Sequence, residues 1–207
     1  TGVQTCALPI LSEFLERYPQ LTVDMNLDDR KVDVIEGGFD VSVRISDLGD
    51  SSLVARRIGP CRHVVVASPA YLKRYGIPRT PEDLEDHNVI TYQYKDSAKE
   101  WEFRLPGQKP SMVSVSGSIQ MNNSLALREA LLNDAGITRT PTFVVGRDIQ
   151  EGRLQSVLTN YELPEISIYL VFPQRKYLSP KVRVFVEFMR EYISDTPSWD
   201  QKTKVDR

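Results

Sequence analysis

LTVDMNLDDRKVDVIEGGFDVSVRI, residues 21–45, is the stretch on which the fold class turns. Leu21, Val23, Met25 and Leu27 alternate with Thr22, Asp24 and Asn26, the two-residue period of a strand with one buried face. Residues 30–36 then predict a short helix ended by Gly37-Gly38, and residues 39–45 (FDVSVRI) predict a buried strand. Strand, helix and strand in such close succession favour an α/β layout with a largely parallel sheet.

The alternation of elements continues in both directions. Upstream, Leu11, Phe14, Leu15 and Tyr18 recur at helical spacing among Ser12, Glu13, Glu16 and Arg17, so residues 11–18 predict an amphipathic helix stopped before Pro19. Downstream, residues 53–58 and 63–68 (HVVVAS) predict strands, the second apolar enough for a sheet centre. Ser68 followed by Pro69 predicts a capped helix over 70–75 closed by Gly76, and Thr80-Pro81-Glu82-Asp83 starts a short helix around Leu84. Residues 88–94, 101–105 and 112–121 predict strands, the last two joined by a turn at Pro106-Gly107. A helix from Leu125 to Ala135, capped by Asn123 or Ser124, is expected to end at Gly136. Beyond it the pattern predicts a short strand at 143–145, a short helix at 150–158 and a continuous apolar strand at 166–172. A third cap-plus-proline start at Ser179-Pro180 opens a helix whose apolar face is Val182, Phe185, Val186, Met189 and Ile193. Residues 196–207 are polar and aperiodic and read as a loose tail. This is more than one sheet of ordinary size holds.

Composition narrows the function. With 26 Lys and Arg against 28 Asp and Glu, the 207 residues carry no basic excess to neutralise a phosphate backbone, so this stretch is not expected to grip nucleic acid itself. No apolar run reaches the roughly 20 residues of a membrane span. The two cysteines, Cys6 and Cys61, lack zinc or redox spacing, which points to a reducing, cytoplasmic setting. His63 and His87 are the only imidazoles, and no nucleophile, metalloprotease or nucleotide-loop motif accompanies them. No catalytic residue, metal site or cofactor is therefore expected. The carboxylate pairs Asp28-Asp29, Glu82-Asp83 and Glu85-Asp86 read as solvated surface. His63 and His87 read as packing or capping residues.

The ordered set of segments from FLERYPQL through SSLVARRIG, ASPAYLKRYGIPRTPEDLEDH, WEF, DAGITRTPTF and GRLQSVL to LVFPQRKYLSPKVRVFVEFM closely resembles the effector-binding region of LysR-type transcriptional regulators. The resemblance runs from Leu11 to Tyr192. It implies an α/β fold of two Rossmann-like lobes of the type 2 periplasmic binding protein kind, joined by two crossover strands, with a small effector in the cleft. Residues 11–65 and 174–193 would form lobe one and residues 68–168 lobe two, with crossovers at 63–68 and 168–173. In such regulators a winged helix-turn-helix and a linker helix precede this region, so promoter DNA is an expected partner only through a domain absent from these 207 residues. A homodimer or tetramer is implied through the first helix and the strand at 21–27. The first ten residues, TGVQTCALPI, resemble a translated sequencing adapter and are expected to be non-native, the alternative being a divergent native N-terminus.

Within that frame the candidate effector-binding residues are Arg44, Tyr92, Gln93, Asn122, Asn123, Ser124, Gly136, Thr138 and Pro141. Arg44 follows Val41, Ser42 and Val43 in a buried strand and suits a bidentate contact to an effector carboxylate or similar anion; the alternative is a salt bridge to Asp47 or Asp40. Asn122, Asn123 and Ser124 open a helix, a natural anion site, and N-capping is their other role. Tyr92 and Gln93 end a strand and offer hydrogen bonds, as exposed loop residues also would. Gly136, Thr138 and Pro141 mark a turn that borders the cleft in the family, although Thr138-Arg139-Thr140 departs from its usual apolar stretch. The leading expectation is a sensor domain of a transcriptional regulator. The alternative is a stand-alone solute-binding protein of a transport system, and an enzyme on the same scaffold comes third.

Overall fold

The computed structural model describes residues 3–28, 35, 37–46, 54–93, 99–173, 179–193 and 197–200. In chain order the elements are α1 (Val3–Arg17), β1 (Ser42–Ser46), β2 (Val54–Cys61), β3 (His63–Ala67), α2 (Pro69–Tyr75), a 3-10 helix (Pro81–Asp86), β4 (Thr91–Tyr92), β5 (Glu100–Phe103), β6 (Ser111–Ser114) and β7 (Gln120–Met121). They continue with α3 (Ser124–Leu132), β8 (Ile137–Pro141), α4 (Thr142–Gln150), β9 (Gln155–Val157), β10 (Ile166–Phe172), α5 (Pro180–Tyr192) and a second 3-10 helix (Ser198–Asp200).

Two sheets organise the molecule. Sheet one has the order β1-β10-β2 and sheet two the order β8-β3-β9, both antiparallel throughout. The chain leaves sheet one along β2 and enters sheet two along β3 with only Arg62 between them; it returns through β9 and β10. Out-and-back passage forces the antiparallel pairing of β2 with β10 and of β3 with β9, which is why the largely parallel sheet expected from the sequence does not form. Parallel pairing survives between β4 and β7, and at the bridge of Val89 to Ile137 that joins this pair to sheet two.

β3 is apolar all along because it is covered on both faces. Val65 and Ala67 join a core with Tyr71, Leu72, Leu84, Trp101 and Phe103, whereas Val66 joins the larger core with Ile58, Leu127, Leu131, Phe143, Leu170 and Val186. Local signals place the helices around these strands. Ser68 Oγ accepts the Tyr71 N–H at 3.0 Å, Pro69 fills the first helical position, and Gly76 closes α2. Thr80 and Asp83 exchange the reciprocal bonds of a capping box ahead of Leu84. Along α5, Val182, Val186 and Met189 fall on the buried face.

Several elements differ from the sequence expectation. Residues 21–28 form no strand: the alternation supplies a face but no ladder partner lies beside it among the described residues, and Val23 and Leu27 stay more than a third exposed. α1 begins at Val3 rather than at residue 11 and runs through Pro9. Residues 143–145 are helical, since three apolar residues fit either period and their buried neighbour Asp148 completes a helical face. The expected helix at 150–158 is a turn followed by β9, because Gly152 adopts a left-handed φ of 70° and the N–H groups of Arg153 and Leu154 fold back onto the Asp148 carbonyl. The strand expected at 112–121 is broken in two where Ser118 bonds to the side chain of Asn88. α3 stops at Leu132, with Asp134 in the left-handed region, so its terminus precedes Gly136. Residues 137–141 pair with β3 instead of forming a turn. The tail is ordered at Ser198–Asp200. The helix expected at 30–36, Asp47 and residues 201–207 lie outside the described residues, Ile35 in a turn excepted.

Candidate functional site

The parallel strands set the geometry. β4 and β7 point the same way, as does β8 relative to Val89, so Gln93, Asn122 and Pro141 all emerge at or near the carboxyl ends of these strands. Backbone bonds hold the ends together: Thr91 N–H donates to Ile119 O at 3.1 Å, Gln93 N–H to Met121 O at 2.8 Å and Ile90 N–H to Ile137 O at 2.8 Å. In open α/β sheets the crevice outside the carboxyl edge is where ligands sit.

α3 starts at that edge. Asn123 Oδ1 accepts from the N–H groups of Leu125 and Ala126 at 2.9 and 3.0 Å, so its capping role is established by geometry. Beside it the Ser124 hydroxyl is buried and has no hydrogen-bond partner. Asn122 is exposed. Such a hydroxyl, at the positive end of a helix, is an exception to the rule that buried polar groups are hydrogen-bonded. Tyr92 is half-buried against the larger core, while Gln93 is exposed and offers its amide. Pro141 sits opposite His63 across the ladder and immediately precedes α4.

Two other candidates have internal duties. Thr138 is buried and its hydroxyl donates to Ile90 O at 2.6 Å. Gly136 lies at the amino end of β8, away from Asn122–Ser124, where a Cβ would stand 2.2 Å from the Asn88 carbonyl oxygen; no side chain fits there. Arg44 belongs to sheet one, on a rung with Tyr169 and Arg57, flanked by Val43 and Ile45 that pack against the core. Asp40, one of its two alternative partners, is engaged instead by Lys181 Nζ at 2.5 Å.

Both imidazoles have structural surroundings. His87 is buried against Tyr71, whose hydroxyl accepts the Asn88 N–H at 3.0 Å and lies 3.3 Å from His87 Nδ1. Burial holds the His87 pKa below 6.5, against the opposing charges of Asp86 and Asp83. Among the described residues no group of three or more His, Cys, Asp or Glu could hold a metal ion, and no helix is long and apolar enough to cross a membrane.

A network behind the site escaped the sequence reading. The Asp148 carboxylate is fully buried and is clamped by Arg128 Nε and Nη2 at 2.6 and 2.7 Å and by Arg153 Nη2 at 2.6 Å, which locks α3, α4 and the start of β9 together. The clue available in the sequence was an acid inside the apolar run FVVGRDI. Arg139 is a second surprise: its guanidinium lies over the Trp101 ring at 5.2 Å, and burial lowers its pKa.

Two sheets joined by an out-and-back strand pair, with a helix amino end at the carboxyl edge of a parallel strand set, define a two-lobed α/β ligand-binding domain. The chain belongs to the LysR substrate binding domain family, whose model matches residues 1–194. An uncharacterised HTH-type transcriptional regulator of Haemophilus influenzae is 33% identical over 174 residues, covering 84% of this chain and 60% of the relative. The uncharacterised HTH-type transcriptional regulator YhjC of Escherichia coli is 34% identical over 191 residues, covering 90% of this chain and 64% of the relative. The chain thus spans less than two thirds of the length of these relatives. Among solved structures, the regulatory domain of CrgA, a LysR-type transcriptional regulator from Neisseria meningitidis, superposes with a TM-score of 0.82 at 28% identity, covering 91% of this chain and 92% of that one.

Proposed function

We propose that this chain is the effector-sensing part of a transcriptional regulator, binding a small anionic molecule at the carboxyl edge of the β4, β7 and β8 strands. The observation that carries the site is the Ser124 hydroxyl, buried without a partner at the amino end of α3. Tyr92, Gln93, Asn122, Asn123 and Pro141 are the further contacts in this reading, and Arg44 from sheet one supplies a facing cation for a carboxylate when the lobes close. Gly136 and Thr138 shape the strand beneath the ligand and make no direct contact. The relatives of this chain are regulators, which supports this reading over transport or catalysis.

In the same reading, residues 11–65 and 174–193 make lobe one and residues 68–168 lobe two. The protein works in the cytoplasm as a homodimer or tetramer and meets promoter DNA through a segment outside these residues. The test is a panel of aliphatic and aromatic carboxylates, sulfate and phosphate, screened by melting-temperature shift and titration calorimetry on the 207-residue chain. At least one carboxylate is expected to bind, with Ser124→Ala weakening it about fivefold to tenfold while leaving the unliganded protein as stable as before. Binding unaffected by both Ser124→Ala and Arg44→Gln would move the site elsewhere.

A further inference from the structure

Arg62, the single residue between β2 and β3, is held by two partners, Thr142 and Asp200. The Arg62 carbonyl accepts the Thr142 N–H at 2.9 Å and the Thr142 hydroxyl at 3.3 Å, which ties the strand junction to the first residue of α4. The Arg62 guanidinium meets Asp200 of the C-terminal 3-10 helix, Nη1 to Oδ2, at 2.5 Å. The Asp200 side chain is only 8% exposed, and Pro197 is buried as well. Trp199 packs edge-on to Phe143 with ring centroids 6.3 Å apart.

The seat for this segment is built into α4. A Cβ at Gly146 would stand 2.6 Å from the Trp199 carbonyl oxygen, so the glycine in the interior of α4 is what lets residues 197–200 lie down. The docking is also incompletely satisfied, because Asp200 Oδ1 is buried with no hydrogen-bond partner. An ion pair, buried Pro197 and the packing of Trp199 on the larger core thus work against one orphaned carboxylate oxygen.

We propose that residues 197–200 are a latch on the strand junction and that Asp200 is its positioning residue. Acting through Arg62 and Thr142, it sets how sheet one passes into sheet two, and with it the position of Pro141, one residue from Thr142 and opposite His63. Residues 197–200 thereby have a say in the geometry between the sheets whatever the effector is.

The test needs no ligand. Hydrogen exchange by mass spectrometry on the full 207-residue chain is expected to show peptides of α4 and β3 exchanging about tenfold faster in Asp200→Asn and in Arg62→Gln, with α5 unchanged. The double variant is expected to exchange no faster than either single one, because both remove the same interaction. Unchanged rates in α4 and β3, an equal rise in α5, or rates that multiply in the double variant would each overturn the latch. Gly146→Ala removes no charge and reaches the same point sterically. It is expected to reproduce the exchange pattern and to raise acrylamide quenching of tryptophan emission, a signal that belongs to Trp199 because Trp101 is only 3% exposed. Unchanged quenching, or slower exchange in α4, would show that the seat is not used.

Discussion

At the scale of single residues, the decisive quantity is how completely each buried polar group is satisfied. Asp148 is satisfied by two guanidiniums, and removing the acid leaves both cations without their shared buried partner. Asp148→Ala is expected to cost about 3 kcal/mol in urea unfolding, the lower part of the range for breaking a buried pair, since Arg128 and Arg153 keep some access to water. His87 gives a pH dependence whose sign follows from its surroundings. Its folded pKa is held below 6.5 by burial, so the unfolded chain takes up the proton first as pH falls. Stability is thus expected to decline as pH drops through 6.5 towards the lowered folded value, and His87→Gln is expected to flatten that part of the profile, read from unfolding curves between about pH 7.5 and 5.5. Of the candidate site residues, Asn123 and Ser124 were legible because a helix start is written locally. The internal duty of Thr138 was not, since its partner Ile90 lies 48 positions away.

Elements show the same division between local and remote causes. α2 and α5 open where Ser-Pro pairs announce them, and β3 and β10 are apolar runs that only a covered strand explains. Residues 143–145 predict a strand because three apolar residues fit either period, yet they are helical within α4, whose glycine lies against the Trp199 carbonyl far along the chain. Residues 21–28 fail in the opposite way, having the period of a strand without a neighbour to bond among the described residues. Gly136 was placed at a helix end by its sequence position, whereas the structure uses it for the close approach of β8 to Asn88. Because the atom in the way is backbone, Gly136→Ala cannot be relieved by a rotamer change. It is expected to cost about 2–3 kcal/mol and to leave the α3 cap intact, which thermal unfolding and the circular dichroism of the folded state together check.

For the molecule as a whole, the two sheets differ in their support. Sheet two is flanked by α2, α3 and the β4–β7 pair, while residues 21–28, ahead of sheet one, have no ladder partner among the described residues and leave Val23 and Leu27 more than a third exposed. Backbone amides of β3 and β8 are therefore expected to exchange more slowly than those of β1, and equal protection in the two would count against this. One rung of the ladder has a wider meaning. Cys61 and Ile166 are direct neighbours in sheet one, so residues 62–165 leave and re-enter that sheet at a single point. Such a segment is a cartridge: a recombination with both breakpoints at this rung exchanges one half of the protein without adding or deleting a backbone bond in the other. What the incoming half must match is the shared core, in which Phe143 and Val145 cluster with Phe172 and Val186, and the seat that Arg62 and Gly146 give to residues 197–200. Inheritance can thus recombine the two halves as units, subject to fit at that seam.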